Sequence, residues 1–126
     1  MSAARKLLNW LPSFLWMSFI FYLSAQSGLP GPAWISITGH IVEYGVLAAL
    51  LYFALSRTTT LGHQKTVILA VILATLYGVT DEWHQSFVPG RVPDPMDLLT
   101  DFLAATVVAT MTAVFLKKGL NLNGRV

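Results

Sequence analysis

Residues 40–57 read HIVEYGVLAALLYFALSR, and this stretch decides what kind of protein the chain forms. Between Ile41 and Leu55 it carries a single charge, Glu43. Three further apolar runs flank it: Leu7 to about Ser24, Lys65 or Thr66 to about Trp83, and Asp97 to Leu116. With their polar ends, each comes to roughly 18–20 residues, about the length a helix needs to cross a hydrocarbon core. Composition agrees, with 55% of residues hydrophobic and 11% charged, where soluble domains carry roughly 25% charge. Mean hydropathy is +0.62. A chain in lipid must pair its backbone groups internally, which helices do. The alternating segments of about ten residues that a transmembrane barrel needs are absent. The expectation is an all-α membrane protein, a bundle of four transmembrane helices at about 7–24, 38–56, 65–85 and 97–116, forming one domain over residues 1–126.

The same numbers exclude several classes. Without cysteine there is neither a disulfide nor a thiolate metal site. A net charge of +2 with scattered basic residues does not suit nucleic acid. Arg5 and Lys6, an apolar stretch and then "SAQS" imitate a signal peptide. That apolar core exceeds the usual 7–15 residues and three spans follow, so an uncleaved first helix is expected.

Positive charge sets an orientation. Arg5, Lys6, Arg57, Lys65, Lys117, Lys118 and Arg125 fall on one side of the four spans, and Arg91 alone falls on the other. Both termini are therefore expected in the cytoplasm, with the 26–39 and 87–96 loops outside. Trp10, Trp34 and Trp83 stand near span ends, as interfacial aromatics do. Ala105, Ala109 and Ala113 recur every four residues in the fourth span, and Ala74 precedes Gly78 in the third. Such small residues let helices approach closely.

All six acids, Glu43, Asp81, Glu82, Asp94, Asp97 and Asp101, then collect at the outer face. Helical spacing sharpens this. His40 with Glu43, Asp81 with His84 and Gln85, and Asp97 with Asp101 are three or four residues apart and share helix faces. Glu82 stands off the Asp81/His84 face. Charges at this depth turn to the bundle interior or a wet cavity, since lipid exposure is costly. The expected picture is a polar pocket roofed by the 87–96 loop, which Pro89, Pro93 and Pro95 stiffen and Gly90 turns. Six carboxylates against one arginine repel by several kcal/mol at reduced dielectric. They call for protonated carboxyls, a bound cation or a positively charged ligand. Simpler roles exist for some of these residues. His40 and Glu43 can pair across one turn, and Arg91 can pair with Asp81 or Glu82. Asp94 suits an Asx turn before Pro95, and Asp97 suits the N-cap of the fourth helix. His63 is read as solvated in the inner loop.

The string Asp81-Glu82-Trp83-His84-Gln85-x-Phe87-x-Pro89-Gly90-Arg91, followed by Asp94, Asp97 and Asp101, resembles the VanZ-like family of small bacterial membrane proteins. His40-Ile-Val-Glu43-Tyr44 and the earlier "SAQSG" resemble it too, so the likeness spans roughly residues 20 to 105. Where the pattern usually has glycine after its last acidic position, Ala104 and Ala105 stand here. The resemblance implies an integral protein of the bacterial cytoplasmic membrane and marks His40, Glu43, Asp81, Glu82, His84, Gln85, Phe87, Pro89, Gly90, Arg91, Asp97 and Asp101. Its founding member is linked to resistance to the glycopeptide teicoplanin.

Two functions suit an outward acidic pocket. One is an enzyme acting on a membrane lipid or lipid-linked envelope precursor. In it Asp81 or His84 serves as base and Arg91 holds an anionic headgroup. His40, Glu43, Asp81, His84 and Asp101 would share a divalent cation. Gln85, Glu82 and Asp97 complete the ligand-binding set. The other is a binding protein that holds an envelope ligand or an antibiotic without transforming it. Ion or proton conduction fits poorly, because the inner halves of the helices are apolar apart from Tyr52. The sequence sets no oligomeric state.

Overall fold

The computed structural model describes residues 1–27 and 32–123. Residues 28–31 of the 26–39 loop, and Arg125, lie outside the described residues. Four helices make up the fold: α1 (Ala3–Ser24), α2 (Ala33–Thr58), α3 (His63–Gln85) and α4 (Pro95–Asn123). All four are long and apolar enough to cross a membrane.

The helices begin and end near the expected positions, except that α4 runs on to Asn123 instead of ending near 116 and α2 begins early. Helix α2 starts at Ala33, directly after Pro32, and not near residue 38. The stretch Ile35–Thr38, with three β-branched residues and a serine, is a weak helix former in water. In lipid an unpaired backbone is far more costly than a poor propensity, so the helix extends. His40 and Glu43 consequently lie two turns inside α2, where the interior rather than the interface surrounds them.

Helix α2 is the hub. Its Tyr44, Leu47, Ala48, Leu51, Tyr52 and Leu55 are buried against Ile20 of α1, Ala70, Val71 and Ala74 of α3, and Ala105, Ala109 and Ala113 of α4. The alanine ladder of α4 packs as its spacing predicts, which brings α2 and α4 together closely. At Gly45 a Cβ would stand 3.1 Å from Val108, so the missing side chain is part of that fit.

Helix α1 packs on α2, touches α3 and does not reach α4 among the described residues. Polar bonds along its length help to dock it. Trp10 Nε1 donates to Thr58 Oγ1 at 3.2 Å, Trp16 Nε1 to the Glu43 carbonyl at 2.8 Å, and the Tyr77 hydroxyl to the Met17 carbonyl at 2.6 Å. Its outward face, Leu7, Leu8, Phe14 and Leu15 among others, is apolar and exposed, as a lipid-facing surface should be.

His63 opens α3 and hydrogen-bonds through Nδ1 to the Tyr52 hydroxyl. It therefore ties α3 to α2 at the end opposite the acids, while remaining exposed as expected.

Candidate functional site

Antiparallel connection puts the end of α1, the first half of α2, the end of α3 and the start of α4 at one end of the bundle, and the acids meet there. The α3–α4 connection is set by two local devices. Pro89 and Gly90 sit at the middle of a turn closed by the Arg91 N–H on the Val88 carbonyl at 3.1 Å, and Gly90 takes φ +84°, which favours glycine. Asp94 Oδ1 then accepts from the Met96 N–H at 2.9 Å. Asp94 thereby caps α4, with Pro95 as its first residue. Asp97, expected as the cap, lies in the first turn with its carboxylate free to face α2.

His40 is the centre of the arrangement. It is buried, and its ring lies between two α4 carboxylates. Nδ1 donates to Asp101 Oδ1 at 2.8 Å, while Nε2 stands 3.4 Å from Asp97 Oδ2. The first is a well-formed, charge-assisted bond and the second is longer than an ordinary N–H···O bond. The four-residue spacing of Asp97 and Asp101 thus spans the imidazole from nitrogen to nitrogen. His40 does not pair with Glu43 along its own helix.

A train of buried polar atoms continues from Asp101, which is 1% exposed. Its Oδ2 has no hydrogen-bond partner and faces Gly78 of α3, where a Cβ would come within 3.0 Å. The Tyr44 hydroxyl lies beside Asp81 without closing a hydrogen bond to it. Asp81 is also buried; its Oδ2 accepts from Gln85 Nε2 at 3.1 Å and its Oδ1 is unpaired. Buried polar groups without partners are few in native proteins, and here three of them converge.

Glu82, which stands off the Asp81/His84 face, is nonetheless held close to His40 and Asp97. Its Oε2 accepts the Asp94 N–H at 3.1 Å and its Oε1 is buried and unpaired. One ligand atom each from His40, Glu82 and Asp97 lies within 4.8 Å of the others. His84 moves the opposite way. It stacks on Phe21 at 4.1 Å and shares a 3.2 Å hydrogen bond with Ser24, both on α1. A three-residue step falls about 60° short of a full helical turn, and α1 lies on that side of α3. The expected cation set of His40, Glu43, Asp81, His84 and Asp101 is therefore divided among different surroundings, and among the described residues the grouping that could hold a metal contains His40, Glu82 and Asp97.

Arg91 pairs with neither Asp81 nor Glu82. Its Nε donates to the Gln26 carbonyl at 3.0 Å and its Nη2 to the Leu23 carbonyl at 3.2 Å, capping the C-terminal end of α1. Next to it opens a cleft of about 280 Å³ between α1, α2 and α3. Polar groups from Ser24, Ser36, His40, Glu43, Gln85 and Arg91 line it together with apolar Leu23, Pro32 and Ile35. His40 borders both the cleft and the Glu82/Asp97 group.

An imidazole whose Nδ1 is held by a buried carboxylate presents Nε2 as a base or a metal ligand. No serine nucleophile stands on the dyad among the described hydrogen bonds, since Ser24 is engaged by His84. Tyr44 and Gly78 were not singled out as site residues from sequence. Tyr44 follows His40 by four residues and so shares its face, a signal that was available. Gly78 reveals its role only once Asp101 is seen to occupy the space it leaves.

A family model described as VanZ/LLP1 matches residues 9–116, and the chain belongs to that family. No curated protein and no solved structure matches it.

Proposed function

We propose that this VanZ/LLP1-family membrane protein binds the head of a lipid-linked cell-envelope precursor or membrane lipid, at the outer face of the bacterial cytoplasmic membrane. The cleft carries this reading. Its wall changes from Leu23, Pro32 and Ile35 to Arg91, Glu43, Gln85 and Ser36 within one small volume. That mixture suits the junction between an apolar chain and a polar head. Arg91 spends two of its donors on the Leu23 and Gln26 carbonyls, which among the described residues leaves Nη1 for an anionic group. Glu43 and Gln85 suit hydroxyl or amide groups of the same head. The outer placement follows from the distribution of basic residues. Holding a precursor in this way would alter how a glycopeptide such as teicoplanin reaches its lipid-bound target.

The test uses the full chain in nanodiscs of phosphatidylglycerol and phosphatidylcholine, with and without a lipid-linked peptidoglycan precursor, and measures co-purified lipid. Enrichment of the precursor or of the anionic lipid in wild type, lost in Glu43→Gln and Arg91→Ala, supports the reading. Lipid content equal to that of the surrounding disc in all three proteins overturns it.

A second, catalytic reading is favoured by the His40–Asp101 bond, which has the form of a general base with its orienting carboxylate. Turnover of the bound precursor that disappears in His40→Gln would support it.

A further inference from the structure

We propose that His40, Glu82 and Asp97 form a binding site for a divalent first-row transition metal ion, Mn²⁺ or Zn²⁺, with Asp101 positioning the imidazole. The site shares His40 with the cleft but does not depend on the cleft's occupant. Three helices contribute: His40 comes from α2, Glu82 from α3 and Asp97 from α4. Their ligand atoms already lie within 4.8 Å of one another. The 3.4 Å between His40 Nε2 and Asp97 Oδ2 matches the separation of two ligands across a tetrahedral ion with bonds of about 2.1 Å.

Two observations go beyond the presence of acids. His40 is 5% exposed, and among the described residues its Nε2 makes no hydrogen bond, the Asp97 oxygen standing 3.4 Å away. The nitrogen thus faces the Asp97 carboxylate at a distance longer than an ordinary hydrogen bond. The second is Glu82, whose Oε1 is buried without a partner while Oε2 is fixed by the Asp94 N–H. An imidazole nitrogen and two carboxylates gathered within 4.8 Å, with one Glu82 oxygen buried and unpaired, are what a cation would complete.

The surrounding residues behave as an outer shell. Asp101 accepts from Nδ1, which fixes the tautomer that leaves Nε2 with its lone pair toward the site. Fixing a metal-bound histidine by a carboxylate raises its basicity and holds its ring. Asp94 both caps α4 and donates its N–H to Glu82, so the cap sets the position of one ligand. One imidazole with two carboxylates suits Mn²⁺ and Zn²⁺ better than Ca²⁺, which takes six to eight oxygens. A 2+ ion would also offset the carboxylate excess at this end of the bundle.

The test uses the full chain in detergent micelles, stripped with chelator and titrated with Mn²⁺ followed by electron paramagnetic resonance, then with Zn²⁺ as competitor. The expected result is one Mn²⁺ per chain, displaced by Zn²⁺, with a nitrogen coupling from the imidazole. His40→Ala removes the partner of Asp101 and endangers the fold, so Glu82→Gln and Asp97→Asn decide the matter, with far-UV circular dichroism confirming helix content. Each should abolish stoichiometric binding. Asp101→Asn should keep the one-to-one ratio but weaken affinity by about 10–100-fold, with an altered nitrogen coupling that a purely structural role would not produce. His63→Ala, at the other end of the bundle, should bind as wild type does. Absence of stoichiometric Mn²⁺ and Zn²⁺ binding in folded wild type overturns the site. So does binding that survives both Glu82→Gln and Asp97→Asn, or that disappears in His63→Ala.

Discussion

His40 Nδ1 donates to Asp101 Oδ1 across 2.8 Å, and this bond joins the second helix to the fourth where both residues are buried. Breaking one side of such a pair leaves the other without compensation, at a cost of about 3–5 kcal/mol. Asp101→Ala should therefore lower stability by about that amount. The double variant His40→Leu/Asp101→Leu should lose less than the two single variants added together. Unfolding in mixed micelles, analysed as a double-mutant cycle, checks this. Strict additivity would mean that the bond contributes nothing.

Gly78 and Gly45 offer a matched comparison. A Cβ at Gly78 meets Asp101 Oδ2 at 3.0 Å and Tyr44 Cε1 at 3.3 Å, while one at Gly45 meets Val108 Cγ2 at 3.1 Å. Asp101 is held by His40 and cannot retreat, whereas Val108 is partly exposed and can give. Gly78→Ala should destabilise by about 1–3 kcal/mol, as overpacking does, and clearly more than Gly45→Ala. Thermal unfolding of the two variants side by side decides it; an equal or reversed order would contradict the packing argument.

Helix α1 depends on a few polar bonds because its apolar contacts are limited to one side. Tyr77→Phe removes one donor while keeping the ring, and Trp16→Phe removes one donor while leaving a smaller aromatic ring in its place. Each should cost about 1 kcal/mol in thermal stability, the usual worth of such bonds in water or lipid. The carbonyls left behind, Met17 and Glu43, remain inside helices, so no large penalty should be added. A loss of several kcal/mol from either variant would show that the ring also shifts.

Arg91 acts as a clip on α1, bridging the Leu23 and Gln26 carbonyls. A lysine ammonium lacks the planar fork that reaches both at once. Amide exchange from Leu23 to Ser27 should rise in Arg91→Ala and only partly recover in Arg91→Lys. Unchanged exchange in both variants would remove the clip from the account.

Orientation can be read by labelling, because the chain has no cysteine. Phe87→Cys lies in the α3–α4 connection and Leu61→Cys in the α2–α3 connection, both at exposed positions. A membrane-impermeant maleimide should label Phe87→Cys in intact cells and Leu61→Cys only after permeabilisation. The opposite pattern would place the acids in the cytoplasm.

Much of the fold was legible because it rests on properties that run along the chain. The Ala105/Ala109/Ala113 spacing announced a close helix contact, the Pro89–Gly90 pair announced a turn, and Asp94 before Pro95 announced a turn that proved to be the α4 cap. The site was legible as a location and less so as a set of contacts. Asp81 and His84 share a face by spacing, yet about 60° of helical rotation sends one to Tyr44 and the other to Phe21. Glu82 looked like the outlier and instead joins His40 and Asp97. Arg91 looked like the natural partner of an acid and instead binds backbone carbonyls left open at a helix end.

The sequence by itself determined four apolar helices, their approximate ends, and the gathering of acids at one end of the bundle. Hydropathy and charge position are one-dimensional, and lipid leaves the backbone little alternative to helix. The tertiary structure alone decided which nitrogen of His40 faces which carboxylate, which way Glu82 and His84 turn, and where Arg91 is spent. Those choices depend on the rotation of each helix about its axis. That rotation is set by packing between helices, above all where Gly78, Gly45 and the α4 alanines let neighbouring helices approach.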